Sequence, residues 1–207
     1  MIRIHNFARG ARGLRAFWVC EEMGVPYEAV AVPYPQPAEY RALHPLATVP
    51  FLEGEDGVAI HESTAIMLYL AQRYGPTPLL PAATDPALTP NSAKVLQWTI
   101  FGETAIGGGL NTLLAAKFGA PEADKTNWSA RMTEARMVEQ IAHVGDSLGD
   151  APFLVGDHLT LADISISCGL GIWVGAFGKT LPDNLVAWRA GLAERPAYQR
   201  ARAKSAG

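Results

Sequence analysis

Four residues in the 207-residue chain combine the chemistry needed to hold a small zwitterionic, peptide-like molecule: Val49, Pro50, Glu62 and Ser63. A cis bond before Pro50 would turn the N–H and C=O of Val49 outward as a strand edge. Such an edge can pair with the amide of a ligand, as in strand addition. Glu62 and Ser63 place a carboxylate and a hydroxyl at the start of an apolar periodic segment. If that segment is a helix, its first N–H groups favour an anion while the carboxylate favours an amine. Each residue also has a plain structural alternative. Few X–Pro bonds are cis, a serine before a helix is commonly its N-cap, and a glutamate is commonly a solvated charge.

A second group of residues is cationic. Arg9, Arg12 and Arg15 cluster where the first helix should begin, and Asn6 ends the strand before it. Arginines beside a helix N-terminus favour an anion. Alternatively they are solvated or pair with Glu21, Glu22 or a ligand carboxylate. His5, His61, His143 and His158 show no metal-type spacing. Cys20 lies mid-helix and reads as a core thiol. With Cys168 it makes only two cysteines, far apart, which argues against a disulfide framework and for a reducing compartment.

The elements that must position these groups follow from periodicity. Ile2 to His5 alternates as a strand; Leu14 to Met23 reads as a helix stopped by Gly24, with Leu14, Phe17, Trp18 and Met23 inward. Tyr27 to Val32 is a second strand and Ala38 to Leu43 a short helix. Phe51-Leu52 and Val58 to Ile60 flank an acidic turn, and Thr64 to Tyr74 carries Ile66, Tyr69, Leu70 and Tyr74 at helical spacing. This order predicts a small mixed sheet covered by helices. Gly75 to Pro90 holds five prolines and reads as a boundary.

Beyond it only helical patterns remain. Thr89-Pro90 opens a helix that runs through Gly107-Gly108-Gly109 toward Lys117. Three internal glycines cost roughly 1 kcal/mol each against alanine, so they mark a kink or a close approach. A long helix is expected from Pro121 to Ser147. Thr160 and Asp163 then fit a capping box, with Leu159 stapled onto Ile164. Two short helices split at Arg195-Pro196 close the chain. The expected organisation is an α/β domain over 1–76, a linker over 77–89 and an all-α domain over 90–207.

Composition bounds the function. The chain is 49% hydrophobic and 18% charged with formal net charge −3. That charge, and the lack of any long basic block, argue against nucleic acid as a partner. No uncharged run reaches the ~20 residues of a membrane span, and MIRIHNFARG lacks the apolar core of a signal peptide. A cytoplasmic protein is expected.

Four segments in order, HPLATVPFL, HESTAIMLYLAQRYG, FLVGDHLTLADISIS and AWRAGLAERPAYQRA, resemble the soluble, bacterial-like glutathione transferases. The resemblance implies a thioredoxin-like N-terminal domain, an all-α C-terminal domain, a homodimer and glutathione as co-substrate without a metal. It implies that Val49 pairs with the cysteinyl backbone across cis-Pro50 and that Glu62 and Ser63 hold the γ-glutamyl end. It also implies a pocket for an electrophilic small molecule between the first loop and the glycine-bearing helix. Trp98, Phe101, Glu103, Trp173 and Phe177 are near enough in the pattern to be considered there, and none is assigned. The first loop departs from the family. Most members carry a Ser, Cys or Tyr that donates to the glutathione sulfur, whereas counting back from Arg15 reaches Gly10 and Ala11. Arg12, then Arg9, is the expected replacement. His44 and Thr48 stand where Asn and Lys are common. The implied activity is transfer of glutathione to an electrophile; the alternatives are a non-catalytic glutathione-binding protein and a glutathione-dependent isomerase.

Overall fold

Ile2 and Ile4 are buried on β1 (Ile2–Asn6), and this strand carries the sheet. The computed structural model describes residues 1–8, 12–81 and 90–205. Arg9, Gly10 and Ala11, Thr89 as a helix cap, and 82–89 of the expected linker lie outside the described residues. After β1 come α1 (Leu14–Met23), β2 (Tyr27–Ala31), α2 (Ala38–Leu43), β3 (Phe51–Glu53), β4 (Ala59–His61) and α3 (Ser63–Arg73). The sheet order is β2-β1-β3-β4. β1 and β2 run parallel through the α1 crossover, whereas β3 and β4 are antiparallel additions. The register places Leu52 beside Ile4 and Ile60.

The chain divides into two compact units: Met1–Ser92 with Gly191–Gly207, and Ala93–Ala190. In the first, α1 is buried along an unbroken run from Arg15 to Cys20, because it packs on α3 as well as on the last helix of the chain. Leu14 and Met23, expected inward, are only half-buried. Gly24 ends α1 at φ 66°, a left-handed cap that glycine adopts without a Cβ penalty.

The second unit begins in α4 (Pro90–Phe101) and continues through a π-helical turn, Gly102–Gly107, into α5 (Gly108–Gly119). Then follow α6 (Trp128–Leu148), α7 (Leu161–Phe177) and α8 (Asp183–Ala193); α9 (Pro196–Ser205) belongs to the first unit. The glycines mark close approach. A Cβ on Gly109 would lie 2.3 Å from the sulfur of Met137 on α6, and one on Gly102 would lie 2.3 Å from Ser165 Oγ on α7. That same Ser165 hydroxyl donates to the Thr99 carbonyl at 2.8 Å. A side chain inserted into the helical ladder accounts for the π turn. The long helix starts at Trp128, seven residues later than expected. Glu122–Asp124 form a 3-10 turn, and Asn127 accepts from Ala130 N as the true cap. Among the described residues no helix is long and apolar enough to cross a membrane.

On α9, Tyr198 meets Trp18 edge-on at 4.7 Å. Arg195, just before that helix, grips Glu22 with two bonds of 2.7 and 2.8 Å, and Arg200 and Lys204 both reach Glu21. The acids considered as partners for the first-loop arginines are thus taken by the C-terminal segment.

Candidate functional site

The loop between α2 and β3 is held from beneath. Tyr40 Oη donates to the Thr48 carbonyl at 2.6 Å and Gln36 Nε2 to the Ala47 carbonyl at 3.1 Å. The Val49–Pro50 bond is cis. Val49 is half-buried and packs against Val32, Tyr40, Ala47 and Phe51. These anchors use side chains of α2 and its approach to fix the backbone just before Val49.

β4 then delivers Glu62 at φ 71°, a conformation that a non-glycine residue adopts at a cost of order 1–3 kcal/mol. Glu62 is the N-cap residue of α3, yet its side chain makes no capping bond. Its carboxylate is 64% exposed and meets only the ring of His61, Nδ1 to Oε1 at 3.3 Å, among its described contacts. Ser63 is the first helical residue and is buried. Its Oγ accepts from Arg15 Nη1 at 2.8 Å. Arg15 is itself buried, so a guanidinium lies directly behind the α3 N-terminus. An anion at Ser63 would meet the helix N–H groups, the hydroxyl and this charge. An ammonium beside it would meet Glu62.

Arg12 is half-buried on the turn before α1, and its carbonyl accepts from Arg15 N at 3.1 Å. Arg9 lies outside the described residues. Asn6 does not present its amide to a ligand in this arrangement. Its Oδ1 accepts from Gly13 N at 3.2 Å and its Nδ2 donates to the Phe7 carbonyl at 3.0 Å, so it ties β1 to the entry of α1. A Cβ at Gly13 would fall 2.3 Å from Asn6 Cγ, which explains the glycine there. Cys20 is buried, and burial, with Glu21 nearby, pushes its thiol up to about 12. It is a core thiol and not a nucleophile.

Two features escape a linear reading. In sequence Arg15 looks like Arg9 and Arg12, although its place within the apolar run LRAFWVC is a signal of burial. His44 stacks on Phe51 at 5.0 Å and on His61 at 5.1 Å, and its Nε2 meets Thr48 Oγ1 at 2.9 Å. Burial, then the neighbouring His61, holds His44 below the ordinary histidine value.

In the helical unit, Trp98 and Phe101 pack against His143, and buried Trp173 donates to the Thr180 carbonyl at 3.3 Å. Those aromatics serve the packing of that unit. Thr104, Gly108, Thr133, Arg136 and Gln140 line a separate groove of about 440 Å³. Among the described residues no three metal-binding side chains gather.

Residues 12–73 match the family model described as the N-terminal domain of glutathione S-transferase. A glutathione S-transferase-like protein, LUC7, from a Fusarium species is 32% identical, over 72% of this chain and 68% of that protein. Elongation factor 1-gamma of Schizosaccharomyces pombe is 34% identical over 71% of this chain, but the chain spans only 34% of that relative's length. A theta class glutathione S-transferase from Xanthomonas axonopodis pv. citri, solved with glutathione bound, superposes with a TM-score of 0.76 at 29% identity. That alignment covers 97% of this chain and 96% of the other.

Proposed function

Because this chain belongs to the glutathione transferase family, we propose that it binds reduced glutathione along the Val49–Glu62 edge and activates its thiol for addition to an electrophilic small molecule. The observation that carries this reading is Glu62. Its strained backbone and exposed carboxylate beside a helix N-terminus, with Arg15 behind Ser63, match an amino-acid head group in both charge and polarity. Val49 and cis-Pro50 supply the backbone edge for the cysteinyl amide.

A free thiol of pKa about 8.5 is only a few per cent ionised at pH 7. The first loop offers no side-chain hydroxyl, so ionisation rests on the α1 N-terminus and on Arg12, with Arg9 as second candidate. Lowering the thiol by one unit takes about 1.4 kcal/mol, within reach of one arginine and a helix N-terminus. Turnover with an activated aryl halide is then measurable but lower than in hydroxyl-bearing relatives.

Binding without catalysis is the second reading. It is favoured by the missing hydroxyl and by relatives whose name is elongation factor and not transferase. A glutathione-dependent isomerase would use the same activated thiol. A homodimer and a cytoplasmic setting belong to the reading as well, the latter suited to two free cysteines, Cys20 and Cys168.

Calorimetry with millimolar glutathione should give saturable heat, and its absence would overturn both readings. Ultraviolet titration of the bound thiol separates them. A pKa below that of free glutathione, raised again by Arg12→Ala, supports catalysis; an unshifted pKa with no turnover above background leaves the binding protein. Light scattering that returned the single-chain mass of 22.2 kDa would exclude the dimer.

A further inference from the structure

We propose that His44 and His61 are positioning residues for this site, and that this stacked pair, tied to Glu62, makes glutathione affinity fall as the solution becomes acidic. The inference rests on the glutathione reading above and adds a regulation to it. The two proposed ligand contacts, Val49 and Glu62, are joined by a short chain of side chains. Thr48, directly before Val49, is tied through its hydroxyl to His44 Nε2 at 2.9 Å. His44 stacks on His61 at 5.1 Å with 28° between the rings. His61 reaches Glu62 Oε1 from Nδ1 at 3.3 Å. Phe51, which pairs with His61 across the β3–β4 ladder, stacks on His44 at 5° and backs the pair.

The charges facing this pair can be named element by element. From α2 comes Tyr40, 6.2 Å from the His44 ring, and its own hydroxyl is pushed up to about 12 by burial. From β1 comes His5, which meets Phe51 and Tyr40 but spends Nε2 on Glu53 at 2.5 Å; Arg3 also bonds Glu53. From the start of α3 comes Glu62, the only carboxylate bonded to the pair among the described residues, and it is mostly exposed. His44 is 4% exposed. A proton on His44 therefore enters an apolar stack with little to neutralise it, and protons on both rings set like charges face to face. A proton on His61 also strengthens its hold on Glu62, in competition with the ligand ammonium. The stack disfavours protons with or without ligand, whereas the competition at Glu62 weakens binding, so ligand binding within the histidine range must release protons.

The test is calorimetry with S-methylglutathione, whose blocked thiol cannot titrate, at pH 5.5 and 7.0. Its carboxylates titrate well below this window and its ammonium above it. The natural chain should lose at least about twofold in affinity between pH 7.0 and 5.5, the window in which histidines gain their proton. His61→Gln, on an exposed strand end, should flatten the dependence to less than about 1.5-fold, whereas His44→Gln, which leaves His61 beside Glu62, should keep it. His158→Gln, an exposed residue of the other unit paired with Asp157, should keep the full dependence. A flat profile in the natural chain, an unchanged slope in His61→Gln, or a flattened one in His158→Gln overturns the proposal. No binding at pH 7.0 defeats the glutathione reading itself, whereas binding without a pH slope defeats this inference alone.

Discussion

Asp163 and Glu62 both lie at the start of a helix, and comparing them shows what separates a carboxylate enclosed by the fold from one kept in water. At α7, Asp163 is fully buried. Its Oδ2 accepts from Thr160 N at 2.8 Å and Thr160 Oγ1 at 2.9 Å, and its Oδ1 accepts from Leu154 N at 2.8 Å. Burial raises its pKa, and these bonds oppose that rise. At α3, Glu62 sits on a strained φ, caps nothing and keeps its carboxylate in water. One group has its lone pairs satisfied by the fold; the other combines a strained backbone with a carboxylate that the fold leaves exposed.

The largest effect should come from emptying the satisfied site. Asp163→Ala strands two buried backbone donors at roughly 1–3 kcal/mol each, so urea denaturation should show a loss of about 3 kcal/mol or more. Glu62→Gln should do the reverse. It should cost at least ~1 kcal/mol in glutathione affinity by calorimetry and leave the urea midpoint in place. Glu62→Gly sharpens the contrast: binding is lost while stability holds or rises by up to about 1 kcal/mol, because relief of strain outweighs the entropy of glycine. A clear loss of stability in that variant would mean that Glu62 is structural after all.

Thr160→Ala should cost about 0.5–2 kcal/mol of stability and change no turnover at a temperature where the chain stays folded. The smallest effect concerns pH. His44 has its folded pKa below the unfolded value of about 6.5, so the unfolded chain binds the proton more readily. Its contribution is complete above that value and declines as pH falls through it. The urea midpoint should slope gently downward from pH 7.5 to 5.5, and less so in His44→Gln.

Elements set by local contacts were legible, while those set by distant ones were not. The bounds of α1 and α2 follow the spacing of apolar residues, and the Thr160–Asp163 box is recognisable from two residues three apart. β4 lies one residue beyond its expected bounds and α3 begins and ends one residue earlier, because the turn at Glu62 depends on a positive φ that no glycine announces. The glycine run signalled a close approach but not its form, since the π turn depends on Ser165 arriving from a helix more than sixty residues away.

The sequence alone determines the succession of strands and helices, the family, and which four residues could face a glutathione-like ligand, because each is written in side-chain type at short spacing. Tertiary structure decided which charges have partners. It buried Arg15 against Ser63, gave Glu21 and Glu22 to the C-terminal segment, locked Asn6 onto Gly13 and stacked His44 on His61. Most of those pairings join residues far apart in the chain. Burial, which sets the strength of a charge and the value of its hydrogen bonds, arises only when these segments are folded together.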